Sequence, residues 1–211
     1  MSSRGRSCVA VRSGADPRLR RNHIHDGARC GVIIMDNGLG LLEDNDIHGN
    51  AYAGVEIKSG GSPTLRRNQI YDGKAGGVYV HTNGTGLVED NDIHGNAYAG
   101  VDIARGGNPT LRRNRVHDGK GSGVYVHDDG LGLIEENEIY GNARAGVTVR
   151  SGGSPTVRSN RITGNGYEAL WVYEGGGGVF ESNDLRDNTR GPWDLAADSK
   201  AKVERRGNIE K

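Results

Sequence analysis

Asn22, Asn45, Asn68, Asn91, Asn114, Asn137, Asn160 and Asn183 stand 23 residues apart without a slip, and this step constrains the fold more than any other feature. A fixed period of roughly 20–50 residues marks a solenoid, in which each repeat is one supersecondary unit stacked on the next. Written in rows of 23, the chain aligns Val55, Val78, Val101 and Val124, and two residues on Ile57, Val80, Ile103 and Val126, with a variable and often polar residue between. That is the period-two alternation of a strand with one buried face. Two further columns are apolar: Leu19, Leu42, Leu65, Val88 and their successors, and Ile24, Ile47, Ile70, Ile93 and theirs. Each unit therefore holds three short extended segments and buries about four side chains, with corners such as Gly60-Gly61-Ser62-Pro63 between them.

This pattern predicts an all-β chain, a parallel β-helix (β-solenoid) of about nine coils of 23 residues, stacked roughly 4.8 Å apart. Its hand should be right, because parallel crossovers overwhelmingly are. A leucine-rich repeat shares the period but needs a helical half, and the GGxP and GxG corners would not tolerate one. The expected boundaries are a loose leader over 1–6, the helix over 7–195 and a distorted C-terminal coil or cap over 196–211. In that last coil Val203 should keep its column while Ile209 comes one residue late. With no amphipathic helix visible over either end, excision from a longer protein, or association end to end or as a homo-oligomer, stays open.

Composition bounds the partners. Lys plus Arg equals Asp plus Glu, 27 each, so no net charge points to nucleic acid or an anionic membrane. The start MSSRGRSCVAV has basic residues without an apolar run behind them, so neither a signal peptide nor a transmembrane segment is read, and a cytoplasmic location is expected. Cys8 and Cys30 fall in adjacent coils offset by one residue. A disulfide is geometrically open to them, but two reduced thiols are expected.

Several columns read as structure. Stacked Asn amides can bond up and down the array. Arg20, Glu43, Arg66, Glu89, Arg112 and Glu135 alternate in sign, as do Arg21, Asp44, Arg67 and Asp90, which makes the full repeat 46 residues. Like charges ~5 Å apart would repel by about 1 kcal/mol even in water, and alternation turns each contact into an attraction on what reads as a solvated face. His25, His48, Tyr71, His94, His117 and Tyr140 form a ring column. No carboxylate or thiol cluster completes a metal set there, so no metal or cofactor is expected.

The pattern GVYVHxxGxGLxEDNDIxGNxxAGVxIxxGGxPTLRRNxIxDG resembles the β-helix repeat of carbohydrate-binding and sugar-hydrolase proteins of the pectin-lyase-like superfamily, above all the repeat domain of the F-box-only ubiquitin-ligase receptor and its bacterial relatives. The likeness spans about residues 9–188. It rests on structural residues, so it implies fold more than function, and no F-box segment is present. In that superfamily the outer face of the first sheet commonly carries the substrate cleft.

On that face two outward columns depart from uniformity. Glu56, Tyr79, Asp102, Tyr125 and Trp171 lie on one, Lys58, His81, His127, Arg150 and Tyr173 on the other. These ten are the candidate binding residues, since aromatics suit flat sugar faces or a partner's side chains. Tyr79, His81, Tyr125 and His127 are the candidates for proton transfer. Glu56 and Asp102, two coils apart at roughly 9.6 Å, touch the upper limit for an inverting glycosidase pair, with Tyr79 between them. The function expected is a non-catalytic binding module presenting this strip to a partner protein or glycan. The alternative is an enzyme using the same strip, a carbohydrate lyase or hydrolase or a small-molecule isomerase or cyclase. An uninterrupted period favours the binder, because inserted loops usually build enzyme clefts.

Overall fold

A computed structural model describes residues 1–2 and 6–211. The chain is a right-handed parallel β-helix of about nine coils, with two nine-stranded sheets and one seven-stranded sheet running along its axis. A representative coil comprises the strands Val55–Ile57, Thr64–Arg66 and Gln69–Tyr71. Each pairs in parallel with its counterpart 23 residues away, as in Val55↔Val78, Leu65↔Val88 and Ile70↔Ile93. The predicted columns are the core: Val55, Ile57, Leu65 and Ile70 of this coil are all fully buried.

The Asn column is a continuous amide ladder inside the corner between the second and third sheets. Asn91 Nδ2 donates to Asn114 Oδ1 and to the Leu65 carbonyl, both at 3.0 Å, and Asn91 Oδ1 accepts from the backbone and side-chain nitrogens of Asn68. A second ladder, through Asn142, Asn165 and Asn188, closes the next corner. The residue before each Asn of the first ladder is left-handed, as Arg67 is at φ 53° and Asp90 at φ 55°. The amide satisfies backbone groups that this bend takes out of the sheets.

Charge alternation is one cause of the 46-residue repeat, and the corners supply another. Asp72 and Asp118 are left-handed, and the equivalent residues of the coils after them, Gly95 and Gly141, are glycines. In each case the Asp Oδ1 occupies the space a Cβ on the following glycine would need. Asn83 and Gly106 are matched in the same way at a second corner. Asx and Gly therefore alternate along the axis as far as Gly141 and Gly152, and Gly164 and Gly175 follow them without an Asx between.

Three expectations change. The charge column is not fully solvated: Glu43 and Glu89 are buried beneath their arginines, Glu43 meeting Arg20, Arg66 and Arg67 at 2.5 Å. Val203 leaves its column. The turn at Lys200–Lys202 adds two residues, so Val203 pairs with Gly178 and Arg205 faces Phe180. The same shift carries Asn208 into the amide ladder, 25 residues after Asn183, with Ile209 bridged to Asp184. Of the expected leader, residues 3–5 lie outside the described residues. Met1 lies along the third sheet, its carbonyl accepting from the His25 nitrogen at 2.9 Å. Cys8 and Cys30 are not joined by a disulfide. Cys8 Sγ turns toward the His25 carbonyl and Asn50, Cys30 Sγ outward to Glu56 Oε2 at 3.1 Å, so the two do not face each other.

Candidate functional site

Register sets Glu56, Tyr79, Asp102, Tyr125, Thr148 and Trp171 in one line on the outer face of the first sheet. Residues two apart on a strand share a face, and here they stack. Tyr79 lies on His81 with ring centroids 4.1 Å apart, Tyr125 on His127 at 4.5 Å and Trp171 on Tyr173 at 4.4 Å. Arg150 sits over both Tyr125 and Tyr173, at 5.7 and 6.0 Å from the ring centres.

Each histidine is tied to the acid of the preceding coil. His81 Nε2 lies 3.0 Å from Glu56 Oε1, and its Nδ1 is 2.8 Å from the Thr82 hydroxyl. His127 Nε2 lies 3.0 Å from Asp102 Oδ1, and its Nδ1 is 3.1 Å from Asp128 Oδ2. The hydrogen bond from His81 holds the Glu56 carboxyl down to about 2 against the effect of burial, with the Cys30 thiol and Lys58 contributing. Asp102 raises His127 above the ordinary imidazole range, also against burial. Burial pushes the Tyr125 hydroxyl up to about 12 and raises Tyr79. The Cys30 thiol also rises to about 12, through burial and the charge of Glu56.

Beside this line runs a second wall that the strand pattern did not single out. The corner entering the first sheet carries the column Tyr52, Ala75, Tyr98, Gly121, Arg144 and Tyr167. Tyr52 and Tyr98 are more than half exposed. Between this corner and the first column lie two adjoining concavities that share Tyr98 and Asp102. One, about 420 Å³, is lined by Cys30, Tyr52, Glu56 and Tyr79 besides the shared pair. The other, about 310 Å³, adds Lys120, Ser122, Tyr125, Arg144, Thr148, Trp171 and Tyr173. Together they form a groove along the axis with aromatic rings on both sides.

The structure thus brings Glu56, Tyr79, Asp102, Tyr125, Trp171 and Tyr173 together on the groove. Lys58, His81, His127 and Arg150 do not line it. His81 and His127 support the tyrosines from behind, and Lys58 binds Glu56 at 3.0 Å. Tyr52, Tyr98, Lys120 and Arg144 lie on corners, outside the strand alternation that marks the other candidates. The signal was present as large and small residues alternating over two coils: Tyr52, Ala75, Tyr98, Gly121. Among the described residues, no three His, Cys, Asp or Glu side chains converge as a metal would require.

A right-handed parallel β-helix is the architecture of a defined family. The family model described as the right handed beta helix region matches residues 7–132 and 107–206, and the chain belongs to that family. Among solved structures it is similar to the Azotobacter vinelandii mannuronan C-5 epimerase AlgE4 A-module, at 18% identity and TM-score 0.74 over 86% of this chain and 56% of that one. The AlgE6 A-module of the same organism matches at 18% identity and TM-score 0.78, over 97% and 63%. A variant of the periplasmic alginate epimerase AlgG matches at 16% identity and TM-score 0.80, over 92% and 50%. The chain therefore spans between half and two thirds of these structures, and the likeness at such identities is one of fold. No curated protein matches the sequence.

Proposed function

We propose that the groove is a glycan-binding site and that the chain acts as a carbohydrate-recognition module. One observation carries this reading: rings line both long sides of a shallow, axially continuous groove, Tyr52 and Tyr98 against Tyr79, Tyr125 and Trp171. Sugars bind aromatic faces through their apolar C–H surfaces, and a groove along the axis suits a linear chain of them. The fold neighbours named as alginate and mannuronan epimerases support a carbohydrate as the ligand class. Binding without turnover is supported by the histidines. Both ring nitrogens of His81 are hydrogen-bonded within the protein, and Asp102 holds His127 Nε2.

The test is titration against linear oligosaccharides. Tyr125→Ala should weaken binding at least tenfold, as a central aromatic anchor does. It should cost about 1 kcal/mol of stability, through the lost Arg150 and His127 contacts. Glu135→Ala, on the second sheet, should leave binding intact. The reverse pattern would place the site on another face. A partner protein is the competing occupant. It wins if a protein binds in a Tyr125-dependent way and no oligosaccharide does.

A second reading is an enzyme acting on the same glycan, favoured by Tyr125 standing in the groove with Asp102 and by the epimerase names of the neighbours. A hydroxyl pushed up to about 12 suits a proton donor and opposes a base at neutral pH. Turnover of polymannuronate or another uronan, seen by NMR and lost in a folded Tyr125→Phe variant, would establish it.

A further inference from the structure

The linings of the two halves differ in charge. The half toward the N-terminus is lined by two carboxylates, Glu56 and Asp102, with Lys58 bound to Glu56 at 3.0 Å outside the lining. The half toward the C-terminus shares Asp102 and adds Lys120 and Arg144. Arg20, Arg66, Arg67, Arg112, Arg113 and Arg158 are committed to carboxylates along the coils. Lys120 and Arg144 enter no ion pair among the described residues. Their charges are open to a ligand.

The shape of the second half matches its charge. Between the large rings of Tyr125 and Trp171 the outward residue is Thr148, whose hydroxyl meets Ser122 Oγ at 2.8 Å. This small pair leaves a notch flanked by rings and faced by Lys120 and Arg144. Behind it Arg150 places a third cation against the Tyr125 and Tyr173 rings, its Nη1 paired with Glu174 at 3.0 Å and its buried Nε without an acceptor. In the first half the outward neighbours of Tyr79 are themselves acids, Glu56 and Asp102, and Glu56 is ionised throughout the neutral range.

We infer that the groove selects a linear oligosaccharide of mixed charge, with uncharged sugars over Glu56, Tyr79 and Tyr98 and an acidic sugar in the notch formed by Thr148, Lys120 and Arg144. This rests on the glycan reading above and adds the ligand's charge pattern and its direction along the axis. A uniformly acidic chain would set a carboxylate against Glu56 in a partly buried site, where repulsion is poorly screened. A uniformly neutral chain would leave both cations unused.

The test uses three probes of equal length at neutral pH: a xylo-oligosaccharide ending in one glucuronic acid, the uncharged xylo-oligosaccharide, and an oligogalacturonate. Calorimetry and Trp171 fluorescence read the binding. The mixed probe should bind about tenfold more tightly than either of the others, the scale of one well-placed charged contact. Lys120→Ala with Arg144→Ala should bring the mixed probe down to the level of the neutral one. Glu56→Gln should bring the oligogalacturonate to within about threefold of the mixed probe, with a thermal melt confirming the fold. Should Glu56→Gln fail to fold, Lys120→Glu with Arg144→Glu, which should abolish the preference for the acidic end, decides instead. If the oligogalacturonate binds wild type as tightly as the mixed probe, or these variants change nothing, the charge assignment is overturned while the glycan site stands. If none of the three probes binds, the glycan reading itself falls.

Discussion

The second-sheet face and the first-sheet face are built from the same repeat and treat their neighbours in opposite ways. On the second sheet the charged outward column is complementary to itself. Glu89 accepts from Arg112 at 2.8 Å and from Arg113 at 3.0 Å, and Arg113 reaches back to Asp90. In the corner beside it each Asn bonds the Asn of the next coil. On the first sheet the outward line alternates acids, rings and one threonine, and in the corner next to it Lys120 and Arg144 enter no ion pair among the described residues. A column that satisfies itself has nothing left for a ligand. A binding face arises where the repeat stops pairing with its own copy.

The comparison can be broken most severely at the Asn ladder. Asn91→Ala removes the acceptor of the Asn68 amide and the donor to the buried Leu65 carbonyl. Orphaned buried groups cost about 1–3 kcal/mol each, so a loss of about 3 kcal/mol is expected in urea unfolding, with glycan affinity unchanged in the folded protein. A loss below about 1 kcal/mol would show that the ladder follows from the fold without stabilising it.

Glu89→Arg is the next in size. It stacks three arginines and removes a largely buried carboxylate. A loss of about 2 kcal/mol is expected, more than a solvated pair would give, and salt should recover only part of it. Full recovery in high salt would mean that the column behaves as an exposed one.

The smallest effect sharpens the other side. Glu56 has its carboxyl at about 2 in the fold against an ordinary 4.5. Its contribution is complete above 4.5 and is lost as pH falls toward about 2. His127, raised by Asp102, has the opposite sign: its contribution is present below the ordinary imidazole value and fades as pH rises through the raised one. Glu56→Gln should therefore flatten the acid limb of the stability profile and leave the limb near neutrality alone. Melts across both ranges check this, and an unchanged acid limb would contradict the Glu56 network.

The step of 23 residues determined the coil, its three strands, the core columns and the ladders. In a parallel stack the neighbour of residue i is residue i + 23, so position alone says what meets what. Self-pairing of Arg20 with Glu43, or of Asn68 with Asn91, follows from that rule. The rule says nothing of how a side chain leans across the strand or how far a corner rises. Tertiary structure decided that His81 and His127 stand behind Tyr79 and Tyr125, and that Tyr52 and Tyr98 rise as the opposite wall. It also buried Glu43 and Glu89 under arginines that a column of letters shows as solvated. Rotamers and corner geometry answer to packing within and between coils, and the spacing of residues along the chain does not carry that information.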